Sequence, residues 1–142
     1  MANVKDVAAY ILEKLGEITA MKLQKLAYYS QAWSLVWDEK LLFPERIEAW
    51  ANGPVVPDLY EAHKGVFKIS KLSCGNPSLL DSLETETIDK VLEFYGDKSS
   101  QWLSDLTHKE EPWLNAREGL EPGERGNNEI THAAMAEYYG SL

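Results

Sequence analysis

The longest uninterrupted helical pattern in the chain runs from Thr19 to Lys40. No glycine or proline interrupts it, and apolar residues cover nearly the whole circumference of the helix that this stretch would form. A helix that is apolar all round is normally buried, and Thr19 is a suitable N-cap. The pattern therefore predicts a central helix wrapped by the rest of the chain. Four residues form a polar edge, which we expect to reach solvent or a partner: Lys22, Gln24, Lys25 and Gln31.

Six further segments carry apolar stripes at helical spacing, together with capping residues or a proline suited to the first turn. The predicted helices are Asn3 to Leu15, Pro57 to Lys64, Glu84 to Tyr95, Ser100 to Thr107, Pro112 to about Glu118, and Thr131 to Tyr139. The link between the first helix and the central helix is short, so these two are expected to be antiparallel neighbours.

The stretch from Leu41 to Trp50 has a strand-like pattern and predicts a small β-hairpin. Two prolines between Asn52 and Pro57 exclude a helix there, Phe67 to Ile69 favours a short strand, and the glycines from Gly119 to Asn128 indicate a loop. The expected fold is mainly α, a compact helical domain around a central buried helix with a small antiparallel β-hairpin. An α+β fold is the alternative, and residues 1–142 are expected to form a single domain.

Composition narrows the functional classes. The formal net charge is −9, with 23 acidic and 14 basic residues, and such a surface repels phosphate backbones, so direct nucleic-acid binding is not expected. One cysteine, Cys74, excludes an intrachain disulfide and favours a reducing compartment. No span approaches the ~20 apolar residues of a membrane helix, and we expect a cytoplasmic location with no membrane association.

Three histidines, His63, His108 and His132, are the side chains that titrate near neutral pH. His108 and Glu110 form a His-x-Glu pair, which in one reading serves a small metal-dependent hydrolase, with His63 in the same cleft. No HExxH motif supports that reading. The favoured interpretation is a structural hydrogen-bond network of Thr107, His108 and Glu110 around the helix break at Pro112, with Trp113 packed beneath it.

We therefore expect no enzymatic activity, no bound metal and no cofactor. Lys22 and Lys25 are interpreted as solvated charges. Aromatic residues are common both in cores and in protein interfaces, so Trp33, Trp37 and Trp50 remain candidates for either.

Several phrases along the chain resemble one family. They are Lys22-Leu23-Gln24-Lys25-Leu26-Ala27-Tyr28-Tyr29, then Glu48-Ala49-Trp50, then Gly53-Pro54-Val55-Val56-Pro57 with Leu59-Tyr60, and finally Thr107-His108 with Glu110, Pro112 and Trp113. In order and spacing they are similar to the Panacea domain, also described as SocA-like or GepA-like phage-associated proteins.

The resemblance implies an antitoxin of a toxin–antitoxin system, often carried by a prophage or mobile element. It implies direct binding of a cognate protein toxin encoded nearby, or delivery of the toxin to the ClpXP protease as an adaptor. Neither role needs catalytic residues. The matching motif residues are Lys22, Leu23, Gln24, Lys25, Leu26, Trp50, Gly53, Pro54, Val55, Tyr60, Thr107, His108, Glu110, Pro112 and Trp113.

Overall fold

The computed structural model describes all 142 residues. It is mainly α-helical, 54% of the residues lying in helices, with two small antiparallel sheets, as the sequence predicts. The elements in chain order are α1 (Val4–Leu15), β1 (Ile18–Thr19), α2 (Ala20–Trp37), β2 (Ile47–Trp50), β3 (Gly53–Val55), α3 (Pro57–His63), β4 (Lys68–Ile69), a 3-10 helix (Pro77–Leu79), α4 (Ser82–Tyr95), α5 (Ser100–Thr107), α6 (Glu111–Ala116), β5 (Glu129–Ile130) and α7 (His132–Gly140).

Side-chain caps fix where the main helices begin. Asn3 and Asp81 each form a capping box with the residue three positions later, and the hydroxyl of Thr19 accepts a hydrogen bond from the backbone of Lys22. The cap at Asp81 starts α4 two residues before the predicted Glu84. Helix α2 ends at Trp37, three residues before the predicted Lys40, because the backbone turns into a positive φ of 52° at Glu39.

Helix α2 lies at the centre of the fold, as predicted. It packs most extensively against α4 and α7 and also contacts α1 and α5. Leu23, Leu26 and Tyr29 are fully buried along it, whereas Trp37 at its C-terminal end is 46% exposed. Burial of a helix on all sides explains why its sequence lacks a single apolar stripe. None of the helices combines the length and apolarity needed to span a bilayer.

The strands form two separate antiparallel sheets. One sheet has the order β3-β2-β5, with Trp50 opposite Gly53 and Ile47 opposite Ile130, and the other pairs β1 with β4. The predicted hairpin over Leu41 to Trp50 is therefore wrong in its first strand. Leu42 and Phe43 are buried in the core outside any strand, and the chain from Gly53 to Val55 supplies the partner of β2.

The predicted polar edge of α2 is also wrong, because Gln24, Lys25 and Gln31 are buried and only Lys22 keeps partial exposure. The amide of Gln24 accepts from the backbone N–H of Val56 at 2.8 Å and donates to its carbonyl at 3.3 Å. Gln31 does the same for the chain at Leu42 and Phe43, at 2.7 Å in both directions. Each glutamine thus pairs backbone N–H and C=O groups at positions where the chain has no partner strand.

Candidate functional site

Side chains from α5 and α6 hold the turn between β2 and β3. Four successive backbone carbonyls, from Ala49 to Asn52, each lie within hydrogen-bond distance of a polar side-chain atom. Arg117 donates to Ala49 at 3.0 Å, Trp113 to Trp50 at 2.8 Å and Ser104 to Asn52 at 3.1 Å, and Nε2 of His108 lies 3.1 Å from the Ala51 oxygen. Motif residues more than fifty positions apart in the sequence therefore meet at this turn.

A cleft of about 690 Å³ opens beside the hairpin, and we call it the hairpin cleft. Its lining residues are Met21, Glu48, Trp50, Ala51, Asn52, Val55, Tyr60, Arg125, Gly126 and Asn127. The rings of Trp50 and Tyr60 meet edge to face with centroids 5.0 Å apart, and the indole N–H of Trp50 donates to Glu48 at 2.9 Å. Three motif residues, Trp50, Val55 and Tyr60, thus share one surface.

A second, more polar cavity of about 320 Å³ adjoins the hairpin cleft, and we call it the lysine cavity. Its lining residues are Met21, Lys25, Asn52, Ser100, Gln101, Ser104, Asp105 and His108. The two cavities share Met21 and Asn52, so they meet at these two residues.

Lys25 is the most unusual polar residue of the site. It is 1% exposed, and its Nζ is the one buried side-chain polar atom without a hydrogen-bond partner. Burial lowers the pKa of Lys25 from 10.5 to about 7, because the ammonium loses its hydration without gaining a counter-ion. The interpretation of Lys25 as a solvated charge is therefore wrong.

Gly53 packs directly against this lysine. Its φ of +118° suits glycine, and a Cβ there would stand 2.6 Å from Lys25 Cε and 3.1 Å from the hydroxyl oxygen of Thr107. The absence of a side chain at Gly53 thus lets the hairpin close over the lysine stem. The motif residues Lys25, Gly53 and Thr107 form one contact group.

The predicted network of Thr107, His108 and Glu110 is divided between two places. Nδ1 of His108 lies 2.5 Å from the carbonyl oxygen of Ser104, and the hydroxyl of Thr107 donates to the same oxygen at 2.8 Å. The His108 ring lies 4.1 Å from the Trp113 ring, as expected. Glu110 takes no part in this group, because its side chain points into the core on the other side of the helix break.

Glu110 belongs instead to a buried tyrosine network. One of its carboxylate oxygens accepts from the hydroxyls of Tyr29 and Tyr139, both at 2.7 Å. Tyr139 uses its single hydroxyl proton in this bond, so Tyr28, 3.0 Å away, donates to Tyr139. Burial raises the pKa of Glu110 above its usual range, and the two hydroxyl donors act in the opposite direction. This carboxylate organises the core and is closed to solvent.

The remaining motif residues have backbone or packing roles. Leu23 and Leu26 are fully buried, Pro54 and Val55 lie in β3, and Pro112 is the second residue of α6, where its missing N–H has no helical partner to lose. Lys22 keeps partial exposure. Of the other tryptophans, Trp33 and Trp37 stack with centroids 5.0 Å apart at the end of α2.

The hydrolase alternative requires His63, His108 and Glu110 in one cleft, and the structure does not bring them together. His63 contacts the side-chain amide of Gln24 at 2.9 Å, while His108 and Glu110 are held as described above. No group of three or more His, Cys, Asp or Glu side chains is arranged to hold a metal ion.

Two parts of the site carry no clear sequence signal. Arg117 is buried against Trp113 and donates to the backbone carbonyls of Glu121 and Glu124 as well as to that of Ala49. An arginine in a polar stretch is normally predicted to lie on the surface. Its burial here is explained by its hydrogen bonds to several backbone carbonyls. The tyrosine network likewise joins residues from α2 and α7 that the spacing of the chain does not relate.

The fold and the site define a small, mainly helical domain that presents a hairpin and two adjoining cavities. The family described as antitoxin SocA-like, Panacea domain, matches residues 23–114. This range is more than half of the chain, and the chain belongs to this family. The assignment confirms the resemblance and indicates an antitoxin-like role. No curated protein and no solved structure gives a significant match.

Proposed function

We propose that this protein is an antitoxin that neutralises a cognate protein toxin by binding it directly, and that the toxin is encoded nearby, in a prophage or other mobile element. The observation that carries the proposal is the family match over residues 23–114. A cytoplasmic location and the absence of enzymatic activity are parts of the same proposal.

We further propose that residues 1–142 work as one Panacea-like domain. Helices α1 and α7 lie outside the matched range, yet Ile11 of α1 and Met135 of α7 belong to the same buried core as Leu26 of α2. Separating either helix from the rest would expose that core.

The hairpin cleft is the proposed toxin-binding surface. Aromatic side chains contribute strongly to protein interfaces because they bury a large area with few rotatable bonds. Trp50 and Tyr60 supply such a pair, and Glu48, Arg125 and Asn127 provide a polar rim. The bonds from α5 and α6 to the turn keep this surface preformed, which lowers the entropy lost on binding.

Co-expression tests this function. Each adjacent small open reading frame is expressed alone and together with this protein, and growth and co-purification are scored. The proposal expects one neighbour that is toxic alone, harmless in the pair and retained in a complex. If no neighbour is toxic or bound, the proposal fails.

The level of the toxin in co-expressing cells distinguishes the protease-adaptor role from sequestration. An adaptor would rescue growth while lowering the toxin level in a ClpXP-dependent way, whereas sequestration leaves the toxin level unchanged. Following the toxin after a translation block, with and without ClpXP, distinguishes the two outcomes.

The proposed surface is tested with Trp50→Ala and Tyr60→Ala. Phe94→Ala is the matched control, since Phe94 is 61% exposed on α4 and lines neither cavity. We expect the two cleft variants to lose toxin binding. Both should still show a cooperative thermal unfolding transition, which would show that they remain folded. Loss of binding in the Phe94 variant alone would place the interface on α4.

A further inference from the structure

The lysine cavity has a positively charged group at its wall and nothing paired with it. Lys25 lines the cavity, its side chain is almost wholly buried, and its Nζ has no hydrogen-bond partner. Buried charges are normally paired or hydrogen-bonded. A buried lysine at the wall of an open polar cavity, without a counter-ion, therefore indicates a place for a ligand anion.

The rest of the cavity wall is rich in hydrogen-bond donors. Ser100 and Gln101 belong to the first turn of α5, the positive end of that helix dipole. Asn52 adds an amide, whereas the hydroxyl of Ser104 already donates to the Asn52 carbonyl. The one acidic residue, Asp105, already accepts a hydrogen bond from Gln101 at 2.8 Å. The wall thus combines one lysine, the first turn of α5, the amide of Asn52 and one carboxylate that already accepts a hydrogen bond.

The titratable groups facing Lys25 come from two helices. His63 on α3 feels the charge of Lys25, which contributes to lowering the pKa of His63. Asp105 on α5 and His108, the residue that caps the end of α5, line the same cavity. The neutral ring of His108 can donate to one of the two carbonyls it faces, and the doubly protonated ring can donate to both. None of these groups makes a hydrogen bond with the Lys25 ammonium.

We infer that the lysine cavity binds a carboxylate group, with Lys25 as its counter-ion. A monoanion suits this wall better than a phosphate, because a single lysine is accompanied by Asp105 and a net charge of −9. The flexible stem of lysine allows Nζ to turn toward the cavity, and the volume of about 320 Å³ accommodates a small acid or one acidic side chain. Burial supports this assignment by lowering the pKa of Lys25, since an ammonium without a partner gains most from an incoming anion.

The test uses the isotope-labelled full chain and nuclear magnetic resonance, with sodium acetate as the probe and sodium chloride at equal ionic strength as the reference. We expect saturable shifts at the Lys25 side chain and at the amides of Gly53 and Thr107, with a Kd on the order of 1 mM, a weak value appropriate to a ligand of so few atoms. The pKa of Lys25 should rise in saturating acetate. Above pH 7 the affinity should fall about tenfold per pH unit, because only the protonated amine pairs with acetate.

Lys25→Met should abolish the acetate-specific shifts, and Lys71→Met, at an exposed loop position, should leave them unchanged. Lys25→Gln provides a second uncharged variant if the methionine protein does not fold. Equal effects of acetate and chloride on the wild-type protein, or an unchanged pKa of Lys25 in acetate, would overturn the inference.

A final arm identifies the source of the carboxylate. In the co-expression assay, loss of toxin binding by folded Lys25→Met would assign it to an acidic side chain of the toxin, and retained binding would assign it to a free small acid. The acetate titration needs no toxin. Its outcome is therefore independent of whether the proposed antitoxin function holds.

Discussion

Replacing Lys25 by methionine should stabilise the protein, and the gain should depend on pH. Methionine keeps the length of the lysine stem and removes the buried ammonium. The pKa of Lys25 falls from 10.5 to about 7 on folding, and each pKa unit corresponds to about 1.4 kcal/mol. Holding this side chain in the core at pH 7 thus costs roughly 4 kcal/mol, and we expect Lys25→Met to recover about 2 to 4 kcal/mol of unfolding free energy there.

The sign of the pH dependence follows from proton binding. Between pH 7 and 10.5 the unfolded chain binds more protons at this position than the folded chain, so the wild-type protein gains stability as pH rises through that window. The advantage of Lys25→Met should therefore shrink, by about 2 to 3 kcal/mol between pH 6 and pH 9.

Urea unfolding followed by tryptophan fluorescence at several pH values between 6 and 9 measures this difference. Lys71→Met, at an exposed position, is the control, and its stability should run parallel to that of the wild type. Parallel curves for Lys25→Met and the wild type would refute the reasoning, because they would mean that the buried amine has the same pKa in both states.

Three further substitutions test other contacts. Gly53→Ala should lower the unfolding free energy by about 3 kcal/mol in the same urea assay, because the added methyl group clashes with its neighbours and φ is positive. Gly65→Ala is the control. Its φ is +84° but the space around it is open, so it should lose about 1 kcal/mol. Glu110→Gln should flatten the stability profile above pH 4.5. The raised pKa of Glu110 means that its stabilising contribution is complete below its unfolded value and declines as pH rises through the folded value; identical pH profiles would contradict this. Gln24→Leu should lower the thermal midpoint, with a loss of about 2 to 4 kcal/mol, because it strands two backbone groups, while the exposed Gln101→Leu serves as its reference.

Helix positions could be predicted because their signals are local. Asn3 and Thr19 mark the starts of the first two helices, because each caps its helix through contacts with only a few neighbouring residues. The apolar circumference of α2 likewise predicts its central position, because a helix without a polar face is stable in water only when it is buried on all sides. The family phrases then located the residues that meet around the hairpin.

The errors arise where a polar residue meets a partner distant in sequence. Gln24, Lys25 and Gln31 read as a solvent-facing edge, yet two of them bond to backbone that follows α2, and the third lies under Gly53. Proximity along the chain predicts one network for Glu110 and His108, although the helix break turns the two side chains to opposite sides. Pairings of this kind depend on tertiary packing, which periodicity does not encode.

The outer edge of β3 has a consequence for how any protein can be recognised at the hairpin. Pro54 offers no N–H for an incoming strand, and both polar groups of Val56 are already bonded to Gln24. Strand addition, the route by which many extended peptides join a sheet, is thus closed along this edge. The edge is also shielded from templated aggregation. A protein that binds at β3 must therefore be recognised through the shape and charge of side chains and not through main-chain hydrogen bonds.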